Sequence, residues 1–237
     1  AKDVLESRLG KIVHNNNLLR SIYDLLIELP NVDLLENESV QSLNEGIEFI
    51  EIQTDSGLNL QAELIIGADG SMSSIRSLSS IPIRTWSYEQ TAIVSLLESE
   101  LPINETAYQI FTGTGPIALL PVKVEGEDLI SLIWSADKVY ADKLLTLESS
   151  EFLKELELKT EYKLGKLKVR EEISSFPLHQ LHAIKYFSKR TVLVGDSAHT
   201  IHPLAGQGLN LGIADVVDLS ERILLFRREG KDIADEK

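Results

Sequence analysis

The 237-residue chain is 43% hydrophobic, enough for a sizeable core in one large domain or two small ones. It has no cysteine, which excludes disulfides, zinc–thiolate sites, iron–sulfur clusters and a cysteine nucleophile, and fits a reducing, cytoplasmic compartment. Its net charge of −14, from 37 acidic and 23 basic residues, with Lys and Arg unclustered, speaks against nucleic acid and an anionic membrane surface as partners.

The chain opens at Ala1 inside a charged, helix-like stretch, and Met72 is its only methionine, so a fragment of a longer protein is expected. No apolar run approaches the ~20 residues of a spanning helix, and no signal-peptide pattern is read. Residues 17–29 carry Leu18, Ile22, Leu25, Leu26 and Leu29 at helical spacing, stopped by Pro30 and Asn31. "VDLLENESVQSL" reads as extended, and "IEFIEIQT" as a strand with a slip of register. Asp55-Ser56-Gly57 is a hairpin turn into a buried strand, Ala62 to Ile66, ending at Gly67.

Residues 86–135 change character. "YEQTAIVSLLES", "AYQIFTG", "GPIALLPV" and "DLISLIWSA" are strand-like runs between Gly, Pro and acidic turns, which predicts an antiparallel sheet. "DKVYADKLLTL" and "SSEFLKELELK" are helical, with Ser149 or Ser150 as the expected N-cap. "KLKVREEISSFPL" returns as a strand and "RTVLVG" is a short buried one. Leu209, Ile213, Val216, Val217, Ile223 and Leu224 form one apolar face of a last helix. The fold class is α/β (α+β overall): an α/β domain over 1–79 and 181–237, interrupted by an antiparallel-sheet domain over 80–180.

Chemistry concentrates in "VLVGDSAHTIHPLAGQGLNLG", Val192 to Gly212. Asp196, His199 and His202 at i, i+3 and i+6 are the ligand types of a non-haem iron site. Pro203 and Gly206 follow at once and break the helix that would align them, so no metal is expected. "GQGLNLG" is not Gly-x-Gly-x-x-Gly and stands ten residues beyond its strand, so the first-βα dinucleotide fingerprint fails. Gly206 and Gly208 still permit close backbone approach to a ligand, and a helix N-terminus favours an anion. Tight helix packing explains the glycines equally well. In "LIIGADGSMSSIR" a strand ends in Gly-Ala-Asp-Gly, Ser73 suits an N-cap, and Arg76 reads as a surface charge.

Together, Asp-Gly-x-x-Ser-x-x-Arg at Asp69–Arg76 and Gly-Asp-x-Ala-His-x-x-x-Pro-x-x-Gly-Gln-Gly-x-Asn-x-Gly at Gly195–Gly212 resemble the second and third fingerprints of the FAD-dependent aromatic hydroxylases. "FTGTGPIALLPV", "FPLHQLHA" and the third-fingerprint text look like the ubiquinone-biosynthesis branch, and within it the 2-polyprenyl-6-methoxyphenol 4-hydroxylases. The resemblance covers nearly the whole chain. The first fingerprint, Gly-x-Gly-x-x-Gly after an N-terminal strand, is absent, so the chain is expected to hold the flavin-ring half of an FAD site.

The resemblance implies a monooxygenase that uses FAD, NAD(P)H and O₂ through a flavin C4a-hydroperoxide to hydroxylate a polyprenyl-phenol ring. It matches Gly195 and Asp196 to the ribityl chain. Pro203, Gly206, Gln207, Gly208, Leu209 and Asn210 match the segment along the flavin ring. Asp69, Gly70 and Arg76 match a motif tied to the pyrophosphate and to nicotinamide use, here through an Asp–Arg arrangement that orders the loop. No general base stands out. Phe111, Leu119 and Trp134 suit either a substrate cavity or the core. The implied partners are other ubiquinone-biosynthesis proteins, with peripheral contact at the inner membrane. An uncovered last helix invites a homodimer, and the chain by itself is expected to be inactive. The rival readings are a flavin reductase or oxidase of the same fold and a non-catalytic fragment binding lipid or a partner.

Overall fold

The computed structural model describes residues 10–203 and 206–234; the charged stretch that opens the chain lies outside them. In chain order the elements are α1 (Asn15–Leu26), β1 (Val40–Glu45), β2 (Ile50–Thr54), β3 (Asn59–Ala62), β4 (Ile65–Gly67), α2 (Ser74–Leu78) and β5 (Ile83–Ser99). Then come β6 (Tyr108–Thr112), β7 (Gly115–Val124), β8 (Glu127–Asp137), α3 (Lys138–Leu145), α4 (Ser149–Lys159) and β9 (Leu167–Val169). The chain closes with β10 (Ser174–Ala183), β11 (Phe187–Ser188), β12 (Thr191–Leu193), a 3-10 turn at Gly195–Ser197, β13 (His199–Thr200) and α5 (Gln207–Glu229). The mixture of helix and sheet is the α/β (α+β overall) class expected.

Two compact units emerge, Ala1–Leu34 with Glu89–Leu178, and Leu35–Tyr88 with His179–Lys237. Residues 10–34 thus group with the antiparallel sheet rather than with the first α/β piece. The start of α1 explains this, because His14, Asn16 and Asn17 line one recess with Val124, Glu127 and Arg170.

In the sheet unit β6, β7, β8 and β5 lie side by side, all antiparallel, with β9 also on β5. Alternation sends Ile93, Leu97, Ile117, Leu119, Leu132 and Trp134 to one face. There they meet Leu144 of α3 with Phe152 and Leu156 of α4, spaced one turn apart. Leu119 and Trp134 are therefore core residues, and Phe111 is exposed. Glu157 pins α4 to β9: its carboxylate accepts the Leu167 amide at 2.9 Å and Lys166 Nζ at 3.0 Å.

Several expectations are corrected. The N-cap of α4 is Glu148, whose carbonyl takes the Glu151 and Phe152 amides, so Ser149 is already helical. The slip in "IEFIEIQT" is the β1–β2 turn: Gly46 N–H donates to Phe49 O, and Ile47 is 94% exposed. "KLKVREEISSFPL" is two strands, because the Arg170 and Glu171 amides both turn to the Leu96 carbonyl and break the ladder.

The run Ala62–Ile66 is also two strands. β3 closes the β1–β2–β3 sheet, while β4 joins β11 and β12. The buried Arg190 guanidinium makes the crossing by donating to the carbonyls of Glu63 and Ile47. Ile66 is 45% exposed, since β4 is an edge strand. On α5 the apolar face forms as spaced, but Leu209, Ile213, Val216, Val217 and Leu224 are exposed. No helix among the described residues is long and apolar enough to cross a membrane.

Candidate functional site

β4 and β12 are parallel neighbours in register, with Ile65 opposite Thr191 and Gly67 opposite Leu193. Each is followed by one of the two motifs. Residues 126 positions apart in sequence thereby arrive side by side at the carboxyl ends of parallel strands, where α/β sheets hold ligands. The Ser197 hydroxyl fastens the two ends, lying 2.6 Å from the Gly67 carbonyl and 2.8 Å from that of Val194.

The second motif is a self-contained turn. Asp69 accepts the Ser73 hydroxyl at 2.5 Å and the Ile75 amide at 3.0 Å. Ser73 Oγ in turn accepts the Arg76 amide, so serine is the N-cap of α2 as expected. Arg76 is 6% exposed, not a surface charge. Its guanidinium donates to the Ser197 carbonyl and the Ser71 carbonyl, both at 2.8 Å. The direct Asp–Arg arrangement is thus replaced by two separate roles: Asp69 holds the turn, and Arg76 reaches across to the third motif. Gly70 supplies the positive φ of +79° within that turn.

The third motif begins with Gly195 at φ +60°. α5 runs so close that a Cβ on Gly212 would come 3.2 Å from the Gly195 Cα. Asp215, one turn further on, accepts the Gly195 amide at 2.8 Å and lies 2.6 Å from His199 Nε2. His199 is buried beside the Tyr186 ring. His202 sits edge-on to Tyr88, and burial holds its imidazole below the ordinary value, keeping it neutral. Asp196, His199 and His202 therefore do not converge, and no cluster of three potential ligands exists among the described residues. Asp196 is exposed, and its carboxylate takes no hydrogen bond from the described residues.

Pro203 precedes α5, whose cap is Gly206 at φ +60°, and no acidic residue stands in the first turn. The positive end of this 23-residue helix favours an electron-rich group. A Cβ on Gly206 or Gly208 would meet no described atom within 4 Å. Packing thus accounts for Gly212 but not for Gly206 or Gly208, while Gln207, Leu209 and Asn210 are all exposed. An acceptor carboxylate, the positive end of a helix, and two glycines with no described atom beside them fit a flavin with its ribityl chain. Gly208→Val tests this. The fold tolerates the side chain, so thermal stability should move by less than about 1 kcal/mol. FAD affinity of the full-length protein should fall about tenfold or more in a fluorescence titration. Unchanged affinity would assign the glycine to some other need.

Sequence reading missed Asp215 and Ser197. Asp215 had one signal, its i+3 spacing from Gly212, which puts both on the α5 face that meets the Gly-Asp turn.

Comparison with known proteins finds relatives along most of the chain. The ubiquinone hydroxylase UbiL of Rhodospirillum rubrum is 35% identical over 224 residues, 94% of this chain and 52% of that protein. The 3-demethoxyubiquinol 3-hydroxylase of Escherichia coli is 32% identical over 94% of this chain and 56% of its own length. The chain spans about half the length of the curated relatives it matches. Among solved structures, p-nitrophenol 4-monooxygenase PnpA from Pseudomonas putida superposes with a TM-score of 0.75 over 92% of this chain and 55% of that one, at 20% identity, which establishes a shared fold. The family profile described as "FAD binding domain" matches residues 13–233, and the chain belongs to that family.

Proposed function

We propose that the protein carrying this chain is an FAD-dependent monooxygenase that hydroxylates a polyprenyl-phenol ring in ubiquinone biosynthesis, with NAD(P)H as reductant. One observation carries the reading. Two distant motifs meet at the ends of β4 and β12 and present an exposed Asp196 carboxylate that takes no hydrogen bond from the described residues. The names of the relatives support the ring and the pathway.

When bound, FAD supplies two-electron transfer from NAD(P)H and the activation of O₂. The chain's own residues bind and orient it. Asp196 would accept a ribityl hydroxyl. The first amides of α5, from Gln207 to Asn210, would face the electron-rich edge of the ring. Fixed dipoles there favour negative charge on the reduced cofactor at no cost in reorganisation. Asp69, Gly70 and Arg76 serve by holding the neighbouring turn. The reading also takes other ubiquinone-biosynthesis proteins as neighbours, peripheral contact at the inner membrane, and self-association through the exposed face of α5.

Asp196→Ala in the full-length protein tests the site. A charge-assisted bond contributes about 1.5–3 kcal/mol, so FAD affinity should fall about tenfold or more. An unchanged titration would remove Asp196 from the site. The rival flavin reductase or oxidase is separated by O₂ consumption: only the hydroxylase couples NAD(P)H oxidation to a phenol and returns the hydroxylated ring.

A further inference from the structure

We infer that Asp215 is a positioning residue for the flavin site, and that His199 is its second anchor. The inference rests on the reading of Asp196 given above. A single Asp215 oxygen receives two groups, the Gly195 amide at 2.8 Å and His199 Nε2 at 2.6 Å. His199 Nδ1 is buried with no hydrogen-bond partner among the described residues. A proton there would be a stranded donor, so the ring carries its proton on Nε2 and donates it to Asp215. The imidazole is thus fixed in one tautomer and points at the carboxylate.

The arrangement joins the two halves of the site. Gly195 is the residue before Asp196, and its amide is tied to α5 through Asp215. Asp215 lies eight residues beyond Gln207, roughly 12 Å along the helix at 1.5 Å per residue. The helix that carries Asp215 is the helix whose first turn begins at Gln207. The contact between Gly212 and Gly195 removes slack beside the same turn. Asp215 therefore sets where the Asp196 carboxylate stands relative to the first turn of α5. It touches neither the proposed ligand atoms nor solvent to any great extent, with a side chain 18% exposed. His199 keeps the carboxylate on the side that meets Gly195, and the Tyr186 ring, 5.6 Å away, keeps His199 from turning.

A double-mutant cycle on FAD affinity in the full-length protein tests this. Asp215→Ala alone should weaken FAD about tenfold. On an Asp196→Ala background the same change should add little, since the group it positions is gone, so the double variant should bind about as Asp196→Ala does. If Asp215→Ala does not fold, Asp215→Asn keeps the shape and one acceptor. It should cost about fivefold in affinity, and again nothing on the Asp196→Ala background. Losses that multiply to about a hundredfold would mean that Asp215 acts on stability alone, and overturn the inference while leaving the site intact. No loss from Asp215→Ala or Asp215→Asn on the wild-type background would overturn it as well. If Asp196→Ala itself leaves FAD affinity unchanged, the site reading falls and takes this inference with it.

Discussion

Gly115→Ala is expected to destabilise the sheet unit by about 4 kcal/mol or more, the sum of a forbidden backbone conformation and an overpacked contact. Gly115 has φ +131°, where an L side chain is strained whatever space it finds. The added Cβ would stand 2.0 Å from the Ser135 carbonyl oxygen and 3.0 Å from its carbon. Both are backbone atoms of β8, and Ser135 is paired with Ala92 of β5, so the obstacle cannot rotate away. Relief would require separating β7 from β8 along a ladder that runs from Ile117–Trp134 to Val124–Glu127. A loss of this size lowers the melting temperature of a chain this long by roughly 10 °C. Gly113→Ala, two residues away, is the control: its Cβ meets nothing within 4 Å, and the effect should stay within about 0.5 kcal/mol. Circular-dichroism melts of both variants decide the matter. Equal melting temperatures would mean that the β6–β7 turn gives way more easily than its geometry allows.

How much of this was legible in the sequence follows from the range of the interactions. β5 to β8 were readable because alternation and turn residues are local signals, and the runs ended where Gly113, Gly126 and neighbouring acidic residues turn the chain. The crossing at Glu63 was not readable. An apolar run looks the same whether it stays in one sheet or changes to another, and the cause here is an arginine 127 residues away. Leu119 and Trp134 illustrate the same limit, since a strand residue facing a cavity and one facing a core share one pattern.

Among the candidate site residues, Asp196 and Gly208 stand out in the sequence through the motif that holds them. Ser197 and Asp215 do not, because a serine that closes a bond to Gly67, 130 residues earlier, is just another small polar residue in the text. The metal reading of Asp196, His199 and His202 failed for a related reason. Spacing says which side chains are near in sequence, but Asp215 and Tyr88 decide where the two rings point.

Arg76→Met is expected to cost about 2–3 kcal/mol of stability and about tenfold or more in FAD affinity. The side chain is 6% exposed and pairs with no carboxylate among the described residues; the charge is compensated by the Ser197 and Ser71 carbonyls alone. Each such bond to a charged group contributes about 1.5–3 kcal/mol. Methionine fills most of the stem's volume and lifts the desolvation cost of a buried cation, which offsets part of the loss, but it strands both carbonyls. Ser197 directly follows Asp196, so its carbonyl fixes the far side of the turn that Asp215 holds from the near side. Freed at that end, the turn would present Asp196 over a wider range of positions, and affinity should fall beyond what stability alone explains. Arg76→Lys separates the two effects. A lysine keeps the charge but lacks the planar fork that reaches both carbonyls at once, so it should fall between wild type and methionine in melting temperature and in FAD titration alike. A methionine variant that melts early yet binds FAD as tightly as the wild type would reduce Arg76 to a staple between two loops, with no part in shaping the site.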